Sequence, residues 1–137
     1  MRYMMIVKHA LNQGPPPKKL IDEITKLTES EAAKATLLGN GGLQPLSTGA
    51  RVRLSGGKIT LTDGPYIEAK EIIGGYAQFE LRSKEEAIDA ATRFMELHQL
   101  YWPGWEGETE IRAMLDPGDC GANASVADTE PAHAVLK

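Results

Sequence analysis

Alternation of apolar and polar positions gives most of the elements. Arg2 to Lys8 is apolar, β-branched or aromatic at most positions, a run that predicts a first strand buried on both faces and ending near His9. Gln13-Gly14 and three prolines follow, which extend neither strand nor helix. A helix can begin at about Pro17, because proline is tolerated in a first turn. Leu20, Ile21, Ile24 and Leu27 recur at helical spacing, Ala32, Ala35 and Leu38 continue the stripe, and Gly39 stops it. Leu43 to Leu46 predicts a short edge segment.

Two alternating runs, Ala50 to Leu54 and Lys58 to Thr62, are joined by Ser55-Gly56-Gly57 and predict a β-hairpin. Tyr76 to Leu81 alternates again, with Ala77, Phe79 and Leu81 on one side and Tyr76, Gln78 and Glu80 on the other. Ser83-Lys84-Glu85-Glu86 is a capping box, in which serine and glutamate each satisfy a free backbone donor. Ala87, Ile88, Ala91, Phe94 and Met95 make an amphipathic helix through about Leu97. An aromatic loop, Tyr101-Trp102-Pro103-Gly104-Trp105, leads to a last alternating run from Glu108 to Leu115.

The predicted order is β-α-β-hairpin-β-α-β. It contains the β-α-β-β-α-β framework of a ferredoxin-like α+β sandwich with an added hairpin. Residues 1–115 form one domain on this reading. Residues 116–137 are Gly, Ala, Ser, Asp and Pro with little to bury, and predict a loosely packed tail. Two helices would cover one sheet face, and a second copy of the chain would close the other, giving a homodimer.

Between the hairpin and the next strand, Asp63-Gly64-Pro65-Tyr66 begins a shaped loop that carries Glu68, Lys70 and Glu71 before Gly74-Gly75. Charged groups on such a loop are where a small domain keeps its function. Asp63 can act as a general acid or base, and it can equally cap the turn amides. Tyr66 can line an apolar pocket or simply pack. Lys70 can hold an anionic group or stay solvated. Arg51 and Arg53 share a strand face and can clamp a carboxylate or phosphate, or lie in solvent. Tyr76 and Gln78 stand on the open sheet face, beside a pocket near the Asp63 loop. His9 ends the first strand, where a sandwich of this type opens to its cleft, and is the second catalytic candidate. His98 closes a helix, where a positive ring suits the dipole, and receives no chemistry. Trp102 and Trp105 can stack on a ligand or pack around the last strand.

The formal charge of −4 argues against a nucleic-acid partner. No stretch is long and apolar enough for a membrane helix, and the first residues do not form a signal peptide. The single cysteine, Cys120, excludes an internal disulfide framework and fits a reducing cytoplasm. No His/Cys/carboxylate spacing points to a metal. Gly39-Asn40-Gly41-Gly42 lacks the Lys-Ser/Thr of a nucleotide loop, so no cofactor is expected.

Thr62-Asp63-Gly64-Pro65-Tyr66, Glu68, Lys70-Glu71 and Gly74-Gly75-Tyr76 resemble the signature of the DGPF proteins, a branch of the YCII-related family. Gly42-Leu43-Gln44-Pro45 and Ala50-Arg51-Val52-Arg53 fit the same pattern. The resemblance covers about Met1 to Leu115. It implies a dimeric α+β barrel of two sandwiches packed sheet to sheet, with a cleft at each end. It assigns no reaction: some relatives are associated with alternative sigma factors, and some are dehydrochlorinase-like enzymes with a His–Asp dyad. Their histidine lies early in the first helix, where this chain has Lys18, Lys19 and Leu20, so the dyad does not carry over. Two functions stand: a small-molecule binding protein or enzyme, and a non-catalytic interaction module, such as an accessory to transcription.

Overall fold

A computed structural model describes residues 1–11, 13–64 and 71–117. Tyr66, Lys70, Cys120 and all but the first two residues of the predicted tail lie outside these. In chain order the elements are β1 (Arg2–Ala10), α1 (Lys18–Ala33), β2 (Leu37–Gly42), β3 (Ala50–Ser55), β4 (Lys58–Asp63), β5 (Glu71–Glu80), α2 (Lys84–Tyr101) and β6 (Gly107–Ala113). β2, β5, β1 and β6 form a sheet in that order, each neighbour antiparallel. That is the ferredoxin-like arrangement. β3 and β4 pair only with each other, in a separate two-stranded ribbon.

The register sorts the faces. Tyr3 lies opposite Phe79 and Ala113, and Met5 opposite Ala77 and Ile111. Tyr3, Met5 and Phe79 join Leu81, Ala87, Ala90 and Ala91 in the core, with Leu37, Ala77 and Ile111 packed against it. Three alanines on one face of α2 let the helix sit close to the sheet. Leu20 of α1 is the largest fully buried side chain. Met4, Ile6 and Lys8 stand on the other face with Gln78, Tyr76 and Ile73, the parity expected of Tyr76 and Gln78.

Helix α1 ends at Ala33, before the predicted stop at Gly39. Ala35 adopts a left-handed backbone (φ 60°), so the chain turns without a glycine. The Ala35 amide donates to Ala32 O at 3.0 Å and the Thr36 amide to Glu31 O at 3.3 Å, the paired bonds of a Schellman motif. The Thr36 hydroxyl adds bonds to the Glu31 carbonyl and carboxylate. Leu37 and Leu38, which also fit the helical stripe, therefore begin β2. The predicted edge segment at 43–46 is displaced accordingly: the strand lies at Leu37–Gly42, and Leu46–Thr48 is a single 3₁₀ turn.

Helix α2 begins as predicted. Ser83 Oγ accepts from the Glu86 amide at 3.2 Å, while Glu86 accepts from the Arg82 amide at 2.9 Å and binds the Arg82 guanidinium. It continues past Leu97 to Tyr101, which takes His98 into the last turn. The β3–β4 turn places Gly56 and Gly57 at φ 59° and 76°, the positive pair that a tight hairpin of this hand requires.

Candidate functional site

A cavity of about 480 Å³ lies between the helix-facing side of the sheet and the two helices. That volume is in the range of small-molecule pockets. Its walls are mostly apolar: Met5, Val7, Leu20, Ile24, Leu27, Phe79 and Phe94, closed at one side by Trp102 and Trp105. The polar groups on it are few, chiefly His9, Thr28, Glu31, His98 and Thr109.

His9 owes its position to a bulge. The β1–β5 register slips between Val7 and Lys8, leaving Gly74 as the extra residue on β5. A Cβ at position 74 would lie 2.7 Å from the His9 ring, so only glycine leaves room for the imidazole there. His9 Nδ1 is 2.9 Å from the Ala10 carbonyl, to which it donates. Tyr76 borders the cavity by its place on β5, while its ring stands on the open sheet face across Gly41 of β2.

Glu31 is a buried carboxylate on the opposite wall. It is held by Arg93 at 3.1 Å, by Lys34 at 3.8 Å and by the Thr36 hydroxyl at 3.1 Å. With these partners it braces α1 against α2 and is not free to act on a ligand.

His98 is 6% exposed. Its Nδ1 donates to the Phe94 carbonyl one turn earlier at 3.0 Å. The Trp105 ring centre lies 4.3 Å away, that of Phe94 4.7 Å and that of Trp102 6.3 Å. Burial pushes its pKa below the ordinary histidine value, and the bond to Phe94 only partly opposes this. The ring is therefore neutral near pH 7. This corrects the expectation of a charged histidine complementing the helix dipole. Trp105 is fixed in turn by Gly107, where a Cβ would lie 2.3 Å from the indole.

Of the sequence-predicted residues, His9 and Tyr76 meet at the cavity. Asp63, Arg51, Arg53 and Gln78 are not in its walls. The hairpin register also separates them: Asp63 opposite Ala50 shares a strand face with Val52 and Leu54, whereas Arg51 and Arg53, opposite Thr62 and Thr60, occupy the other. Gly64 closes the hairpin base by donating to Gly49 O at 2.9 Å, and a Cβ there would fall 1.8 Å from Leu46 O. The glycine of Asp63-Gly64 is thus a packing requirement. Sequence reasoning passed over His98, although Phe94, His98 and Trp102 recur every fourth residue and mark one helix face.

Among the described residues no group of three or more His, Cys, Asp or Glu is arranged to hold a metal ion. None of their helices is long and apolar enough to cross a membrane.

An antiparallel sheet in this order, with both helices on one face and a cavity between the layers, defines a ferredoxin-like α+β protein. The chain belongs to the YCII-related domain family, whose model matches residues 1–95. No functionally curated protein matches it. The family match ends inside α2, so His98, Trp102 and Trp105 lie beyond it.

Proposed function

We propose that the protein is a cytoplasmic small-molecule binding protein or enzyme whose ligand, predominantly apolar, occupies the space between sheet and helices. The observation that carries this reading is the cavity of about 480 Å³ with apolar walls and two imidazoles on them. A well-packed core of this size keeps few voids larger than water, so a volume of this kind is a departure from ordinary packing. His9, beside the strand that follows the Asp63 loop, is the candidate acid–base group. The working unit is a homodimer joined through the open sheet face, where Met4, Ile6 and Tyr76 would be covered.

A second reading is favoured by a different observation. Val52, Leu54, Ile59 and Leu61 form one face of the hairpin, and each is 67–71% exposed. Apolar rows left open this way fit a non-catalytic interaction module.

The test is a thermal-shift screen of a metabolite library against the wild type and Ile24→Trp, which fills the cavity from α1. A ligand at one hundred times its dissociation constant stabilises by about 2.7 kcal/mol. Apolar hits that vanish in Ile24→Trp are expected. Hits that persist in that variant would move the site elsewhere, and a screen without hits would favour the interaction module. Sedimentation equilibrium run on the same samples is expected to give the dimer mass.

A further inference from the structure

The cavity reading leaves open which ligand chemistry is accepted, and His98 narrows it. A backbone carbonyl can only accept, so the 3.0 Å contact between Nδ1 and Phe94 O places the proton on Nδ1. A neutral ring so oriented presents Nε2 as a bare acceptor. No group among the described residues donates to it. No side-chain nitrogen or oxygen among them is both sealed and without a partner, so Nε2 is reachable, and His98 is part of the cavity wall. The surrounding surfaces are aromatic: Trp105 at 4.3 Å, Phe94 at 4.7 Å and Trp102 at 6.3 Å.

Resting on the proposed cavity function, we propose that the protein binds a small neutral phenol, whose ring packs in the apolar cavity beside Trp105 and whose hydroxyl donates to Nε2 of His98. Each alternative chemistry meets an obstacle in this cavity. An anion would face the Nε2 lone pair and lose its hydration against apolar walls. A cation would lose its hydration in a predominantly apolar wall. A ligand without a donor would fill the volume and leave Nε2 unpaired, the asymmetry by which buried polar groups reject analogues that lack the matching group. An aromatic ring with one donor satisfies both the walls and the acceptor. His98 is a specificity-determining residue on this reading, and it lies outside the segment that matches the family.

The experiment titrates p-cresol, toluene and 4-methylanisole into the full chain, followed by Trp102 and Trp105 fluorescence and by calorimetry. p-Cresol is expected to bind saturably and about tenfold more tightly than either donor-free analogue, a ratio equal to about one net hydrogen bond. His98→Leu, which keeps an apolar side chain of similar bulk, is expected to collapse the ratio to near unity while toluene binding persists. In the wild type, the ¹⁵N resonance of His98 Nε2 should shift with p-cresol and not with toluene. Equal binding of the three probes to the wild type would overturn the role of His98 and leave the cavity reading standing. No binding by any of them would overturn both. If His98→Leu does not fold, the wild-type ratio and the Nε2 resonance decide.

Discussion

Tyr3, Met5 and Val7 alternate with polar or open-face positions along β1 as Val52 and Leu54 do along β3, and the two patterns have opposite fates. The β1 row lies under two helices, with Met5 only 4% exposed. The β3 row, with Ile59 and Leu61 opposite, is exposed on a ribbon that pairs with no other described strand. Period-two alternation thus reports that a strand has an apolar face and does not report what covers it. The difference comes from partners distant in sequence: β1 is flanked by β5 and β6, while β3 finds only β4 across a two-glycine turn.

The largest expected effect that tests this contrast is Leu20→Ala. Leu20 is fully buried beside the cavity, so the substitution should cost about 2–5 kcal/mol in urea denaturation. A loss below about 1 kcal/mol would mean that α1 is loosely seated and that the two regions differ less than their burial implies.

A smaller effect depends on pH. Burial holds the folded-state pKa of His98 below its unfolded value of 6.5, so the unfolded chain binds more protons between the two. The contribution is fully present above the unfolded pKa and declines as pH falls below it. Thermal midpoints at about pH 7.5 and about pH 5.5 should diverge more in wild type than in His98→Gln. Equal slopes would show that the imidazole is hydrated, and that this wall of the cavity resembles the hairpin rather than the core.

The smallest expected effect is Leu54→Ala, within about 0.5 kcal/mol, the usual result at an exposed position. A loss several times larger that grows with protein concentration would show that the hairpin face is covered in solution.

Much of the fold was legible because its local signals agree with its packing. Gly56-Gly57 marked the hairpin, Ser83 and Glu86 the start of α2, and the parity of Ala77, Phe79 and Leu81 the buried side of β5. The end of α1 was not legible. Ala35 makes the left-handed turn without the usual glycine, and Leu37 and Leu38 fit both a helical stripe and a strand. Around the site, His9 could be chosen because it ends the first strand, where a sandwich of this type opens to its cleft. His98 could not, since a histidine near a helix end has an ordinary electrostatic reading. Its surroundings depend on Trp105, which lies past the helix and is held by Gly107 of β6. The opposite strand faces of Asp63 and Arg51, by contrast, follow from counting along the hairpin.

The central place of β1 has a consequence for how the chain reaches this state. Its pairing partners begin with Glu80 against Arg2 and end with Gly107 against His9, so its ladders close only between remote parts of the sequence. Folding dominated by such remote pairings is slow. During synthesis the first strand emerges with Met4, Met5, Ile6 and Val7 in a row and must wait for most of the chain before either edge is paired. An unpaired apolar strand in that interval is the segment through which a nascent chain associates with its neighbours or recruits a chaperone.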